Sequence, residues 1–318
     1  MKLDRRLLVI AALALAFLPA QVVNAQPYPS YAIQLVVPFD AGSSTDVVAR
    51  AMQPTLGAKL GQTVVVINRA GASGTIGSAA VAAAKPDGYT IGILGMGGTV
   101  MVPHFRKLPY DLASFDLICQ IYSAPVVVMV SPKSPYRDIR SLLEFGKANP
   151  EKIFYGSPGI GTPDHINTAS FFRQNGVVGT HVPFPGGGAV VTAILSNQIT
   201  VVANTTVALK AHRLRPLAVL TAQRLPDLPE VPTAREIGAP FEASIWAVLA
   251  APKGLPPAVK DALEQSCAVM LQDSTYREFA ERAGFPPNFR GGEALKSFIG
   301  SEYKRYGNLI KAEGIEVQ

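Results

Sequence analysis

Small and hydroxyl-bearing residues gather in four glycine-rich segments, each of which follows an apolar run. They are PFDAGSSTD (38–46), NRAGASGTIG (68–77), YGSPGIGTPDH (155–165) and VPFPGGGA (182–189). Each ends where a helix is predicted to begin, and a helix N-terminus presents unpaired N–H groups and about half a positive charge. Glycine lets the backbone come close to a ligand. Such segments bind anions without lysine or arginine.

Helix capping is an alternative role for the hydroxyls in these segments. Ser44, Thr45, Thr75 and Thr162 all stand at predicted helix starts, where a side-chain oxygen accepts a hydrogen bond from the first backbone N–H groups. Capping does not exclude contact with a ligand, so both roles stay open for each of the four residues.

Asp40 does not suit an anion site. A carboxylate about 4 Å from a ligand carboxylate would cost about 4 kcal/mol at an effective dielectric constant of about 20. Asp40 therefore either points into solvent or meets a cationic or hydrogen-bond-donating group on the ligand.

Catalytic motifs are missing from the same segments. Neither AGSST nor YGSPG completes G-x-S-x-G, and no glycine pattern completes G-x-G-x-x-G with an acidic residue about 20 positions on. The four histidines, at 104, 165, 181 and 212, lack metal-ligand spacing. His165 lies just inside a predicted helix, either as a structural residue or facing a cleft. The pattern thus indicates no nucleophile–base pair, and we expect no metal and no cofactor.

The elements that would position these segments alternate between strands and helices. Strands are predicted at 33–39, 63–69, 89–95, 115–131 (broken in two at Pro125), 153–157, 179–184, 199–205, 215–221 and 243–252; helices are predicted at 45–60, 75–85, 139–148, 163–175, 187–196 and throughout 256–312. Continuous Val/Ile/Leu strands between helices predict an α/β fold with mostly parallel sheets. In such sheets ligands bind beyond the carboxyl ends of the strands.

Two sets of strand–helix units predict two α/β domains joined by two crossover strands. Domain 1 would comprise residues 26–127 and 248–318, and domain 2 residues 128–247.

Charged residues make up only 16% of the chain, and the net charge of +6 is scattered without a basic run, which argues against nucleic-acid binding.

Cys119 and Cys267 are predicted to be buried free thiols. A disulfide bridge is the alternative if both lie in one domain.

The N-terminus has the pattern of a secretory signal peptide. MKLDRR is a basic region, LLVIAALALAFLPA is an apolar region too short to span a bilayer comfortably, and VNA (23–25) is a small-residue cleavage site. Cleavage before Gln26 would remove three basic residues and one acidic residue, which lowers the net charge from +6 to +4. The alternative is an uncleaved membrane anchor.

Several motifs in this order resemble the Bug family, the extracytoplasmic solute receptors of tripartite tricarboxylate transporters. They are VPFDAGSSTDVVARAM, VVVINRAGASGTIGSAAVAAAKPDGYT, LPYDLASF, FYGSPGIGTPDHI, RPLAVLTAQRLPDLPEVPTAREIG and YKRYGNLIKAEGI. The resemblance covers nearly the whole chain after residue 25. It implies a periplasmic two-domain binding protein, expected to be a monomer, that closes on a small carboxylate and delivers it to membrane subunits.

The resemblance also implies a set of ligand-binding residues. Domain 1 would contribute Phe39, Gly42, Ser43, Ser44, Thr45 and Asp46, with Ala72, Ser73 and Gly74 beside them. Asp40 lies in the same segment, and its role toward the ligand stays open. Domain 2 would contribute Ser157, Gly161, Thr162 and His165, with Pro185, Gly186 and Asn204 nearby. The chain departs from the family pattern where Ser43 replaces a glycine, where Asp40 replaces a small residue or proline, and in a shorter segment after VVANTTVAL.

Two other functions stay open from the sequence. One is a periplasmic hydrolase on a similar α/β scaffold, which the missing catalytic motifs disfavour. The other is a receptor that signals to a sensor protein instead of feeding a transporter.

We predict that the exported protein begins at Gln26. Mass spectrometry of protein recovered from the periplasm should give the mass of residues 26–318. A mass that still includes residues 1–25 would instead support the uncleaved anchor.

Overall fold

The computed structural model describes residues 28–314, so the predicted signal peptide lies outside the described residues. The strands are β1 (Ile33–Val37), β2 (Val64–Asn68), β3 (Thr90–Gly95), β4 (Phe115–Val130), β5 (Ile153–Ser157), β6 (Gly179–Pro183), β7 (Val202–Thr205), β8 (Arg215–Val219), β9 (Ser244–Pro252) and β10 (Pro287–Gly291). The helices are α1 (Ser44–Leu60), α2 (Thr75–Ala82), α3 (Ile139–Ala148), α4 (Pro163–Gln174), α5 (Gly187–Leu195), α6 (Thr206–His212), α7 (Pro257–Gln272), α8 (Ser274–Arg282) and α9 (Gly292–Ala312).

The first lobe is a sheet in the order β10-β4-β9-β3-β1-β2. Strands β1, β2 and β3 run parallel, with Ile33 opposite Val64 and Leu35 opposite Ile91. Four of the five residues of β1 are buried, as expected for an apolar strand covered on both faces. Parallel strands bring the carboxyl ends of β1 and β2 to one edge of the sheet, where the first two glycine-rich segments begin.

The second lobe is built on the end of β4 and on the short parallel pair β5–β6. Strands β7 and β8 pair antiparallel with residues 126–130 of β4. Helices α3 and α4 pack on one side, where Leu142, Phe171 and Phe172 are buried, and α5 and α6 pack on the other, where Ile194 and Leu209 are buried. Each lobe therefore has its own apolar core.

Strand β4 runs through both lobes without a break, so the prediction that Pro125 divides it is wrong. Pro125 is the last β4 residue paired with β9, opposite Ser244, and pairing with β7 starts at Val126. Proline has no N–H to donate to a ladder. It is tolerated here because the strand changes partners at this residue.

The predicted α/β class, with two lobes joined by two crossover strands, is confirmed, and the strands pair in both parallel and antiparallel directions. The pairs β1–β2, β1–β3 and β5–β6 are parallel, whereas β4 and β9, the two crossover strands, pair antiparallel with their neighbours. The C-terminal prediction of helix throughout 256–312 is wrong at β10, which pairs with β4. Consecutive prolines at 286 and 287 interrupt the helical run because they cannot donate backbone hydrogen bonds.

The two cysteines form a disulfide, so the prediction of free thiols is wrong. Cys119 lies on β4 and Cys267 on α7, 148 residues apart, with a Cα–Cα distance of 6.6 Å and no exposed surface. Helix α7 packs on the first-lobe sheet, and that packing brings the two residues within bridging reach. The sequence does not give this distance.

No helix within residues 28–314 is both long and apolar enough to cross a bilayer.

We predict that the disulfide contributes substantially to stability. Replacing both cysteines (Cys119→Ala with Cys267→Ala) should lower the free energy of unfolding by about 2–5 kcal/mol, because the bridge restricts the unfolded chain. Urea unfolding with and without a thiol reductant checks this. The wild type should lose stability on reduction, while the double variant should be insensitive. Two titratable thiols in the unfolded, unreduced wild type would contradict the bridge.

Candidate functional site

The four glycine-rich segments converge on one cavity between the lobes, with a volume of about 660 Å³. A cavity of this size is typical of small-molecule sites. The predicted site residues that line it are Phe39, Asp40, Gly42, Ser43, Ser44, Thr45, Ala72, Ser73, Gly74, Thr162, Pro185, Gly186 and Asn204. Residues that the sequence prediction missed also line it: Ala41, Ala70, Gly71, Pro158, Asp164, Gly187, Gly188, Val191, Thr205, Val207, Ala208, Ala211 and His212. Predicted residues Asp46, Ser157, Gly161 and His165 lie behind the wall instead.

In the first segment one hydroxyl caps helix α1, and its two neighbours line the cavity. Ser43 is the N-cap of α1, and its Oγ accepts a hydrogen bond of 3.3 Å from the backbone N–H of Asp46. Ser44 and Thr45 are the first two residues of the helix and line the cavity. The capping role expected for Ser44 or Thr45 therefore belongs to Ser43.

Asp46 holds the first segment in place from behind. Its carboxylate accepts hydrogen bonds from the backbone N–H of Gly42 (2.8 Å), from Arg50 Nε (2.9 Å) and from Asn68 Nδ2 (2.8 Å). Burial alone would raise the pKa of Asp46, but these hydrogen bonds and the Arg50 charge outweigh it and lower that pKa. Asp46 is therefore a charged anchor for the backbone that forms the wall.

The second segment has an unusual backbone conformation. Ala72 and Ser73 have φ angles of 47° and 56°, a region that non-glycine residues rarely occupy and that is common at functional sites. The Oγ of Ser73 donates a 3.1 Å hydrogen bond to the carbonyl of Ile160 in the second lobe. Thr75 Oγ1 donates to the Ala72 carbonyl at 2.9 Å, which stabilises the turn. The two lobes thus touch at the cavity rim.

The third segment is organised by a buried polar cluster. His165 and His181 stack with ring centroids 3.8 Å apart, and His181 Nε2 lies 2.7 Å from Ser157 Oγ. The backbone N–H of Gly161 donates to His165 Nδ1 at 3.2 Å. Glycine is required at 161 because φ is +78° and a Cβ there would collide with the ring of Phe105.

Both imidazoles of this cluster stay uncharged near neutral pH. Burial and the neighbouring His181 lower the pKa of His165 to about 3, and burial lowers the pKa of His181 to about 4. The Ser157–His181 contact has the distance of a nucleophile–base pair, which spacing in the sequence did not reveal. Ser157 is fully buried and its Oγ donates to the Gly159 carbonyl at 2.8 Å, so the pair shapes the segment from behind the wall.

The wall of the second lobe carries an acid that the sequence prediction missed. Asp164 lies in the first turn of α4, and its Oδ2 accepts a 2.7 Å hydrogen bond from Asn204 Nδ2. Burial raises the pKa of Asp164 to about 7, although the Asn204 hydrogen bond acts in the opposite direction. Asp164 stands two residues after the N-cap Thr162, where acidic residues are common at helix starts. The sequence therefore contained no sign that this acid lines a cavity.

The fourth segment leaves its helix start open. A Cβ added to Gly186, Gly187 or Gly188 would meet no heavy atom within 4 Å. Packing within the protein therefore does not require glycine at these positions. Their backbone N–H groups at the start of α5 are accessible to a ligand in the cavity.

The cavity has little formal positive charge. Its lining contains the carboxylates of Asp40 and Asp164 and the imidazole of His212, and no lysine or arginine of residues 28–314 lines it. Favourable potential for an anion comes instead from the N-termini of α1, α2, α4 and α5, which all face the cavity. The site can therefore hold a carboxylate through backbone N–H groups and hydroxyls.

Comparisons with known proteins agree with this architecture. A family model described as "Tripartite tricarboxylate transporter family receptor" matches residues 48–315. Protein BugT of Bordetella pertussis is 31% identical over the full length of both chains. The solved structure of the periplasmic binding protein BugD is 32% identical, covers 92% of this chain and 100% of its own, and has a TM-score of 0.82. An R. palustris protein solved with adipate is 29% identical over 92% of this chain and 100% of its own, with a TM-score of 0.84.

We predict that Ser43→Ala and Ser44→Ala have different effects on stability. Ser43→Ala should lower the free energy of unfolding by about 0.5–2 kcal/mol, because it removes the cap of α1. Ser44→Ala should change it by less than about 0.5 kcal/mol, because among the described residues its hydroxyl has no hydrogen-bond partner. Urea unfolding of both variants without ligand checks this. Equal losses would show that the capping role is misassigned.

Proposed function

This chain belongs to the receptor family of tripartite tricarboxylate transporters, and from that membership we propose that it captures a small carboxylate in the cavity between its lobes. It then delivers the solute to the membrane subunits of such a transporter. The observation that carries the proposal is the convergence of four helix N-termini on a cavity whose lining, within residues 28–314, includes no lysine or arginine.

The first-lobe loops are the proposed carboxylate subsite. The backbone N–H groups of Ser44 and Thr45, the Ser44 hydroxyl and the turn at 72–74 line one side of the cavity. The N–H groups of Gly42 and Ser43 are already bonded within the loop, to Asp46 and to the Asp40 carbonyl. Asp46 fixes the first of these loops through Gly42 and Asn68, so its donors are oriented before the solute arrives. A preorganised set of donors lowers the entropy lost on binding.

We further propose that the lobes act as separate domains, residues 26–127 with 248–318 and residues 128–247. Within residues 28–314 the chain crosses between them on β4 and on β9, and β4 changes partners there from β9 to β7 and β8. Rotation about such a pair of strands opens and closes a cavity, as in hinge-type binding proteins. The Ser73–Ile160 hydrogen bond lies at the rim, where closure would form it and opening would break it.

The same proposal also covers the cell compartment and the assembly state of the protein. The signal-peptide pattern at 1–25 fits secretion to the periplasm, and the disulfide fits an oxidising compartment. We propose that the protein acts there as a monomer until it docks on the transporter.

The Ser157–His181 contact is the observation that favours the alternative hydrolase function. Catalysis by Ser157 would need its Oγ to reach a bound solute, yet the residue is fully buried and lies outside the cavity lining. We therefore propose binding without turnover. Recovery of any bound carboxylate in chemically altered form, lost in a Ser157→Ala variant, would support the hydrolase instead.

We predict that carboxylates raise the melting temperature of the protein. A solute at about a hundred times its Kd adds about 2.7 kcal/mol to the free energy of unfolding. A thermal-shift screen of aliphatic, aromatic and amino-bearing carboxylates, followed by calorimetry, identifies those that bind. Corresponding alcohols and amides serve as controls and should not bind.

The same screen tests the first-lobe subsite. Ser44→Ala should weaken binding of the tightest carboxylate by about 0.5–1.5 kcal/mol, the value of one neutral hydrogen bond. Ser301→Ala, on the exposed face of α9, is the matched control and should bind like the wild type. Unchanged affinity in Ser44→Ala would remove that hydroxyl from the subsite, and a screen without any carboxylate ligand would contradict the proposed function.

A further inference from the structure

Asp164 presents a fixed carboxylate to the cavity from the second lobe. Only 6% of the residue is exposed, and the residue forms part of the cavity wall. Asn204 Nδ2 binds Oδ2 at 2.7 Å, which sets the orientation of the carboxylate. Asn204 is itself held, because its Oδ1 accepts the backbone N–H of Thr205 at 2.6 Å. The acid is therefore positioned as firmly as the donors on the opposite wall.

No counterion accompanies this carboxylate within residues 28–314. The ion pairs of the described chain do not include Asp164, and beyond its own backbone N–H only Asn204 donates a hydrogen bond to the carboxylate. Other acids with little exposure are compensated differently: Asp46 pairs with Arg50, and Asp116 pairs with Lys253 and accepts two backbone N–H groups. A buried carboxylate without a cation is costly.

Such an acid discriminates among anionic solutes. A solute carboxylate about 4 Å from an ionised Asp164 would lose affinity on the order of a thousandfold at an effective dielectric constant of about 20. Asp40, exposed at the first-lobe edge of the same cavity, adds a second negative charge. In the part of the chain that the structure describes, the lining offers no lysine or arginine to balance either acid. A dicarboxylate with a group on each wall is thus disfavoured.

We infer that Asp164 is a specificity-determining residue that binds a cationic nitrogen on the solute, so that the preferred ligands are carboxylates bearing an ammonium group. The carboxylate of the solute lies against the first-lobe loops and its nitrogen against Asp164. This inference rests on the proposed function, since it assumes that the solute is a carboxylate. Burial raises the pKa of Asp164, and a cationic nitrogen beside it would lower that pKa again, so binding of such a solute is measurable as proton release.

Matched pairs of ligands test the inference in the wild type. Calorimetry at pH 7 compares L-aspartate with succinate, L-glutamate with glutarate, and L-2-aminoadipate with adipate. Within the pair that binds tightest, the amino member should bind at least about tenfold tighter. Its binding should also release protons, seen as a heat that depends on the ionisation enthalpy of the buffer, because a cation beside Asp164 favours the ionised acid.

Asp164→Asn tests the residue itself. Asparagine can still accept the Asn204 hydrogen bond, so the wall should keep its shape. Affinity for the amino member should fall by about ten- to a hundredfold, the range for a hydrogen bond to a charged group, while affinity for the plain carboxylate should hold or rise. Asp138→Asn removes a helix-capping acid outside the cavity and is the control for net charge, expected to bind like the wild type.

The outcomes separate the inference from the proposed function. Equal or tighter binding of the plain member, with proton uptake, would overturn the inference and leave a carboxylate receptor in which protonated Asp164 donates to the solute. Lower melting temperature in Asp164→Asn with unchanged affinities would show that Asp164 only stabilises the start of α4. If no member of any pair binds but the wider screen finds a carboxylate without an ammonium group that does, the inference fails and the proposed function stands. If no carboxylate in the screen binds, the proposed function fails as well.

Discussion

Backbone N–H groups, rather than lysine or arginine side chains, provide the positive potential of the cavity, and most of the architecture serves to position them. Each helix start contributes only about half a charge, and that potential falls off within one turn. Several starts must therefore meet at one place. The parallel strands β1 and β2 do this in the first lobe and β5 and β6 in the second. Strand β4 then joins the two edges, so the segments face each other across the cavity.

Behind each wall, buried polar groups fix the loops that the helices alone would leave mobile. Asp46 ties the first loop to Asn68 and Arg50, and the Ser157–His181–His165 cluster holds the third. These residues do not touch the cavity, yet they determine where its donors point. Hydroxyls and acids near a ligand site thus divide into those that form the wall and those that support it.

The sequence predicted the loops well because their signals are local. Glycine and hydroxyl clusters before apolar periodicity mark helix starts, and helix α3 and strand β5 were predicted to the residue. It could not predict features that depend on tertiary contact: the β10 pairing, the continuity of β4 through Pro125, and the Cys119–Cys267 bridge. The same limit applies at the site. Which of Ser43 and Ser44 caps α1, and that Asp164 faces the cavity uncompensated, follow only from side-chain direction.

The most direct measurement is a crystal structure with a bound carboxylate. We predict that the solute carboxylate lies within about 3 Å of the backbone N–H groups of Ser44 and Thr45 and of the turn at 72–74, with no lysine or arginine in contact. A carboxylate held by a basic side chain, or located away from the helix starts that line the cavity, would contradict it.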